Sequence, residues 1–157
     1  MRNLKFQNLI ALFIFFILAT SCSNDDNAVA NIDPTPVINA VLGGNWVITL
    51  YQDNGVNETN QYTNYVFTFG ANNVLTAANS TNDFTGTWSV TNDNSSDDDS
   101  PSNDLDFNIA FTAPAPNNFI DNLTDDWDIV SYSSTKVELI DISGGNGGTD
   151  YLTFEKN

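Results

Sequence analysis

From Trp46 onward the chain repeatedly alternates apolar and polar residues, and this pattern restricts its fold more than any other feature. In residues 105–111, Leu105, Phe107, Ile109 and Phe111 alternate with Asp106, Asn108 and Ala110. Successive side chains of a strand point to opposite faces, so this alternation puts one face in a core and the other in water. Eight runs read as strands: 46–51, 65–69, 74–78, 84–91, 105–111, 127–132, 136–142 and 151–155. In the first, Trp46, Ile48 and Leu50 share a face; in the second, Tyr65, Phe67 and Phe69; in the fourth, Phe84, Gly86, Trp88 and Val90. Only residues 116–125, around Phe119, Ile120 and Leu123, look briefly helical.

The connections decide how these strands pair. Gly70-Ala71-Asn72-Asn73 and Ser133-Ser134-Thr135 are short turns, Asp53-Asn54-Gly55 is a hairpin-type turn, and residues 144–148 are a glycine-rich one. None supplies the dozen or so helical residues that a parallel crossover needs. Eight sequential antiparallel strands predict an all-β, up-and-down barrel over residues 42–157, with a two-sheet sandwich as the alternative.

Three tryptophans recur in similar settings: Gly44-Asn45-Trp46-Val47-Ile48, Gly86-Thr87-Trp88-Ser89-Val90 and Asp126-Trp127-Asp128-Ile129-Val130. Propeller blades are excluded, because a ring needs at least about four of them and fewer than three units fit. Leu42 with Gly43-Gly44-Asn45-Trp46-Val47-Ile48 resembles the opening motif of the lipocalin-like domains found in many Bacteroidota lipoproteins. The resemblance continues through Val66-Phe67-Thr68-Phe69-Gly70, Gly86-Thr87-Trp88, Trp127 and the closing Leu152-Thr153-Phe154-Glu155-Lys156. Glycine beside a bulky tryptophan lets a neighbouring backbone approach while the indole closes one end of the barrel. The chain departs from the lipocalin pattern in one respect. Lipocalins often stack a late arginine over that tryptophan, but here the only arginine is Arg2. Lys156 is the nearby cation, and an ammonium replaces a stacked guanidinium poorly.

The resemblance implies a cup-shaped, calycin-like domain that holds a small apolar or aromatic ligand. Trp46, Phe67, Phe69, Trp88, Phe107 and Trp127 are then the candidate ligand contacts. With Phe84, Phe111 and Phe154 they also make nine large groups aimed at one interior. Side chains can just fill an eight-stranded barrel, so a packed core is expected ahead of a deep cavity.

The N-terminal residues carry a different message. Arg2 and Lys5 precede the apolar run 9–19, in the order of a secretory signal. The run is shorter than the ~20 residues that a membrane span takes. Ala19-Thr20-Ser21-Cys22 resembles the lipobox of bacterial lipoproteins, although Leu18 stands one position upstream of the usual leucine. It implies cleavage of residues 1–21 and a covalent lipid on Cys22. Cys22 is the only cysteine, so the chain forms no internal disulfide. Residues 22–41, with Asp33-Pro34-Thr35-Pro36, read as an acylated start followed by an extended tether. Ser23-Asn24-Asp25-Asp26 reads in two ways: as a resemblance to the export signal of surface lipoproteins, or as the solvated start of a linker. The location implied is the outer membrane, with the lipid as anchor and the surface as the outward-facing option.

Charge narrows the partners. Without residues 1–21, two lysines remain against twenty acids, a net charge of −18, with no histidine and no arginine. Nucleic acid is excluded, since phosphate contacts need lysine and arginine. An anionic lipid surface is disfavoured for the same reason. Asp97, Asp98 and Asp99 lie in the densest acidic run. It lacks the glycine and closing glutamate of an EF-hand, so a solvated loop is expected ahead of a calcium site. Without histidine there is no Ser-His pair, no Cys-His pair and no histidine metal site, so an enzyme is not expected and no catalytic residue is assigned. A pair of carboxylates acting on a glycan cannot be selected among twenty acids. Asp126 and Asp128 beside Trp127 mark the one candidate for contact with a sugar ring.

Overall fold

The computed structural model describes residues 32–93, 104–143 and 147–157. Cys22, the signal segment and Asp97–Asp99 lie outside the described residues. The strands are β1 (Trp46–Asp53), β2 (Val56–Asn57), β3 (Val66–Phe69), β4 (Val74–Ala78), β5 (Asp83–Asp93), β6 (Asp104–Phe111), β7 (Asp125–Tyr132), β8 (Lys136–Ile142) and β9 (Thr149–Lys156). Two short α-helices, α1 (Thr35–Val41) and α2 (Asn117–Ile120), accompany them.

All strand pairings are antiparallel, and from β3 to β9 each strand pairs with the next in sequence. β9 then returns to β1, from Trp46 opposite Lys156 to Gln52 opposite Tyr151. This last pairing closes an eight-stranded up-and-down barrel and rules out the sandwich. Closure also removes the free edges that an open sheet exposes. β2 is the extra strand: it pairs only with the end of β1, through the Asn54-Gly55 turn, where both residues have positive φ.

The seam between β1 and β3 is thin, with Trp46 opposite Phe67 as its registered pair. Residues 58–62 cover the rest. Thr59 Oγ1 accepts from the Tyr51 N–H at 2.8 Å and donates to the Tyr51 carbonyl at 3.3 Å, while the Glu58 N–H donates to the same carbonyl. A side chain thus satisfies backbone groups that a neighbouring strand would otherwise take.

Two local departures from regular alternation matter. In β1 the register shifts between Ile48 and Leu50, so Thr49 is an extra residue. Leu50, expected on the Trp46 face, is displaced from the core, and Tyr51 takes the inward place. A bulge inserts one residue and exchanges the faces beyond it. In β7 the register shifts between Ile129 and Ser131, so Val130, 59% exposed, is the extra residue, and Tyr132, 45% exposed, comes opposite buried Val137.

The expected extended tether also needs correction. Residues 35–41 form α1, with Pro36 in its first turn and the Thr35 N–H donating to Asp33 Oδ1 at 2.9 Å. Proline's fixed φ suits a first helical turn, where its missing N–H is no loss. Val37 and Val41, one turn apart, are buried, and Ile38 and Leu42 pack beside them. The folded domain therefore includes α1, upstream of Leu42.

Candidate functional site

All six candidate contact residues face the interior, where they belong to one buried cluster. Trp46, Phe67, Phe69 and Phe107 are 0% exposed, Trp127 1% and Trp88 4%. Phe69 is the hub: its ring meets Trp88 at 5.4 Å, Phe107 at 5.3 Å and Phe154 at 5.3 Å edge to face, and Trp46 at 6.3 Å. Trp88 stacks on Phe107 at 5.8 Å. Phe67 meets Phe154 at 5.3 Å. Edge-to-face rings at these spacings are favourable packing, so the barrel's middle is occupied by its own aromatic groups.

Each indole also uses its polar edge. Trp46 Nε1 donates to the Val41 carbonyl at 3.0 Å, Trp88 Nε1 to the Gly70 carbonyl at 3.0 Å and Trp127 Nε1 to the Leu123 carbonyl at 3.3 Å. The Trp46 bond meets a carbonyl that the C-terminus of α1 leaves without a helical partner. It pins α1 across the end of the barrel where β1 begins. Over the same indole lies Lys156 Nζ, 5.3 Å from the ring centroid. The ammonium thus takes the place where the lipocalin pattern has a guanidinium. Gly44 leaves room for this crossing, because a Cβ there would strike Lys156 Cε.

The opposite end, where β1 finishes and β7 begins, is closed by Phe119. Its ring meets Tyr62 at 5.5 Å, Tyr65 at 5.0 Å, Phe67 at 6.0 Å, Phe84 at 5.6 Å and Phe111 at 5.2 Å. Tyr62 Oη donates to the Asn118 carbonyl at 2.8 Å, and the Phe111 N–H donates to Thr124 Oγ1 at 2.9 Å, which hold the α2 segment in place. The helical pattern around Phe119 is visible in the sequence, but its role as a plug is not. Tyr51 and Tyr62 are also buried, although strand alternation marks neither as inward. Burial pushes both phenols well above their ordinary range, so they remain neutral hydrogen-bonding groups.

At this end Asp125, Asp141 and Asp150 occupy the inward register of β7, β8 and β9, two residues from Trp127, Leu139 and Leu152. Asp141 lies directly opposite Asp150. Asp150 Oδ1 accepts from the Asn54 N–H at 2.8 Å, and Asp141 Oδ2 accepts from Ser143 Oγ at 3.0 Å. Burial pushes the Asp125 carboxyl up to about 6. The hydrogen bond with the Asp126 side chain and the charges of Asp141 and Asp126 act in the same direction, and the Asp126 N–H opposes them. No group of three or more acidic, cysteine or histidine residues among the described residues has the geometry to hold a metal ion. Trp127, expected beside Asp126 and Asp128 as a sugar platform, is buried while β7 alternation turns those acids outward. The indole offers no open face to a sugar ring.

The hollows that line the surface lie elsewhere. A groove of about 320 Å³ is lined by Ile32, Val37, Leu105, Ile129, Val130, Ser131 and Tyr132. A smaller hollow of about 140 Å³ lies on the other side of α1, against Ile38, Leu42, Gly70 and Trp88. Among the described residues, no helix is long and apolar enough to cross a membrane. Compared with known protein families, curated proteins and solved structures, the chain matches none.

Proposed function

We propose that the protein is a lipid-anchored, non-enzymatic binding or accessory module of the bacterial cell envelope, acting through the outside of a filled, lipocalin-like barrel. The anchor is the lipid on Cys22, the location the outer membrane, and the kinship that of the Bacteroidota lipoproteins whose motifs the chain resembles. The observation that carries the reading is the packed interior: the six residues best placed to line a ligand cavity are all buried in one core cluster. Native mass spectrometry of the protein extracted from the membrane tests it. The expected species is the acylated chain starting at Cys22 with no further mass, and a stoichiometric small-molecule companion would overturn the filled-barrel reading. Processing that persists under globomycin would overturn the anchor.

A second reading, a carrier of a small apolar or aromatic ligand, is favoured by one feature. Phe119, the ring that plugs the far mouth, sits on the connection between β6 and β7, so it can leave without breaking a strand pairing. The same mass measurement separates the two readings.

A further inference from the structure

We infer that the α1 end of the barrel is a docking surface for a zwitterionic lipid headgroup layer, with the groove of Ile32, Val130 and Tyr132 as its contact. The inference rests on the reading of Cys22 as the acylated residue.

Three observations carry it. The first is reach. Ten residue-to-residue steps lead from Cys22 to Ile32, at most about 35 Å when fully extended. Ile32 itself lines the groove, which fixes that end of the reach. A strand of eight residues such as β7 is about 26 Å long. Turning the far mouth to the bilayer would spend most of the tether on running back along the barrel. The anchor therefore favours the α1 end facing the membrane.

The second is the groove's chemistry. Val130, the extra residue of the β7 bulge, faces outward beside Tyr132 and Ile32, which is 37% exposed. Tyrosine with aliphatic neighbours suits the headgroup boundary, where one end of the side chain is apolar and the other wet.

The third is the charge of that end. The only two lysines of the processed chain, Lys136 at the start of β8 and Lys156 at the end of β9, both lie at the α1 end. The far end carries Asp53, Glu58, Asp83, Asp121, Asp125, Asp126, Asp141 and Asp150. Acids are present at the α1 end too: Asp33, Glu138 and Glu155, with Asp93, Asp104 and Asp106 where β5 ends and β6 begins. Six acids against two lysines disfavour an anionic surface and leave a zwitterionic one as the layer to be met.

The test uses the acylated protein in phosphatidylcholine–phosphatidylethanolamine vesicles. Acylation blocks Cys22, so Val130→Cys offers one reactive thiol for an environment-sensitive fluorophore. Val56→Cys, at an equally exposed valine near the far end, is the control. The expected result is blue-shifted emission at position 130 with quenching by brominated lipid, and neither at position 56. Equal, water-like emission at both positions overturns the proposal. Shielding at position 130 that follows protein density rather than brominated lipid also overturns it and assigns the groove to a second copy. A Cys22 that itself takes the label, with an N-terminal peptide of unmodified mass, removes the anchor and the proposal together. That outcome is read separately from the fluorophore at 130.

Discussion

Phe119 shows how much one side chain decides here. Five aromatic rings close on it, yet it lies in no strand. Phe119→Ala is expected to lose about 3–5 kcal/mol in urea unfolding, because buried phenylalanines leave cavities that relax only partly. The hole would be apolar, and apolar holes stay dry and accept small aromatic molecules. The variant should therefore regain stability in the presence of benzene or a similar neutral ring, seen as a rise in melting temperature. Two glycines give a contrast at the same scale. A Cβ on Gly86 would strike the Ala110 carbonyl and approach Phe111 Cδ1 at 2.8 Å, so backbone would have to move. Gly86→Ala is expected to cost about 1–3 kcal/mol, as overpacking does. A Cβ on Gly44 would meet the flexible end of Lys156, which can swing aside. Gly44→Ala should cost less than Gly86→Ala in the same denaturation experiment, and only the contact of Lys156 with Trp46 would be lost.

Among the elements, α1 has the least sequence signal and a large structural part. It closes the end of the barrel with Val37 and Val41 and accepts the Trp46 indole bond. A chain beginning at Leu42 would leave that indole N–H without its partner and uncover the apolar end. The expected outcome is a lower melting temperature and red-shifted tryptophan emission relative to a chain beginning at Ile32. Equal stability of the two would show that α1 is not part of the cooperative unit. The helix was legible in part. Val37 with Val41, and Ile38 with Leu42, stand four apart as buried helical pairs do. Two prolines favour an extended tether, but one of them sits where a helix begins. The bulges were not legible at all. Nothing in Ile48-Thr49-Leu50 says that one residue will be skipped, because the shift follows from how β1 must bend to meet β9 as the barrel closes.

For the molecule as a whole, charge and pH are linked through the acidic far end. Asp125 is held near 6 in the fold, against 3.8 for the unperturbed group, chiefly by burial. Asp141 is raised as well. A carboxyl whose folded pKa is raised binds its proton more tightly when folded. Its contribution is favourable below the unfolded value and is lost as pH rises through the folded one. Stability from this group should therefore fall between pH 4 and about 6 and stay level above that. Easing the repulsion of a chain with a net charge of −18 after processing also raises stability on acidification, so the variant isolates the site. Asp125→Asn is expected to melt higher than the parent at pH 7 and to gain less when taken to pH 5, by calorimetry at both values.

The sequence by itself determined the strands and the inward faces of most of them. Period-two alternation follows from backbone geometry and needs no partner to be read, and it recovers eight strands and nine inward aromatic groups from Trp46 to Phe154. It also implied antiparallel order, because the connections are too short for crossovers. Only the tertiary structure decided that the sheet closes through β1 and β9, that Tyr51 rather than Leu50 turns inward, and that α1 and Phe119 stop the two ends. These depend on contacts between residues far apart in the chain. The same holds for the interior: the sequence supplied rings enough to line a cavity or to fill it. Their edge-to-face contacts, set by the barrel's curvature and its two plugs, are what filled it.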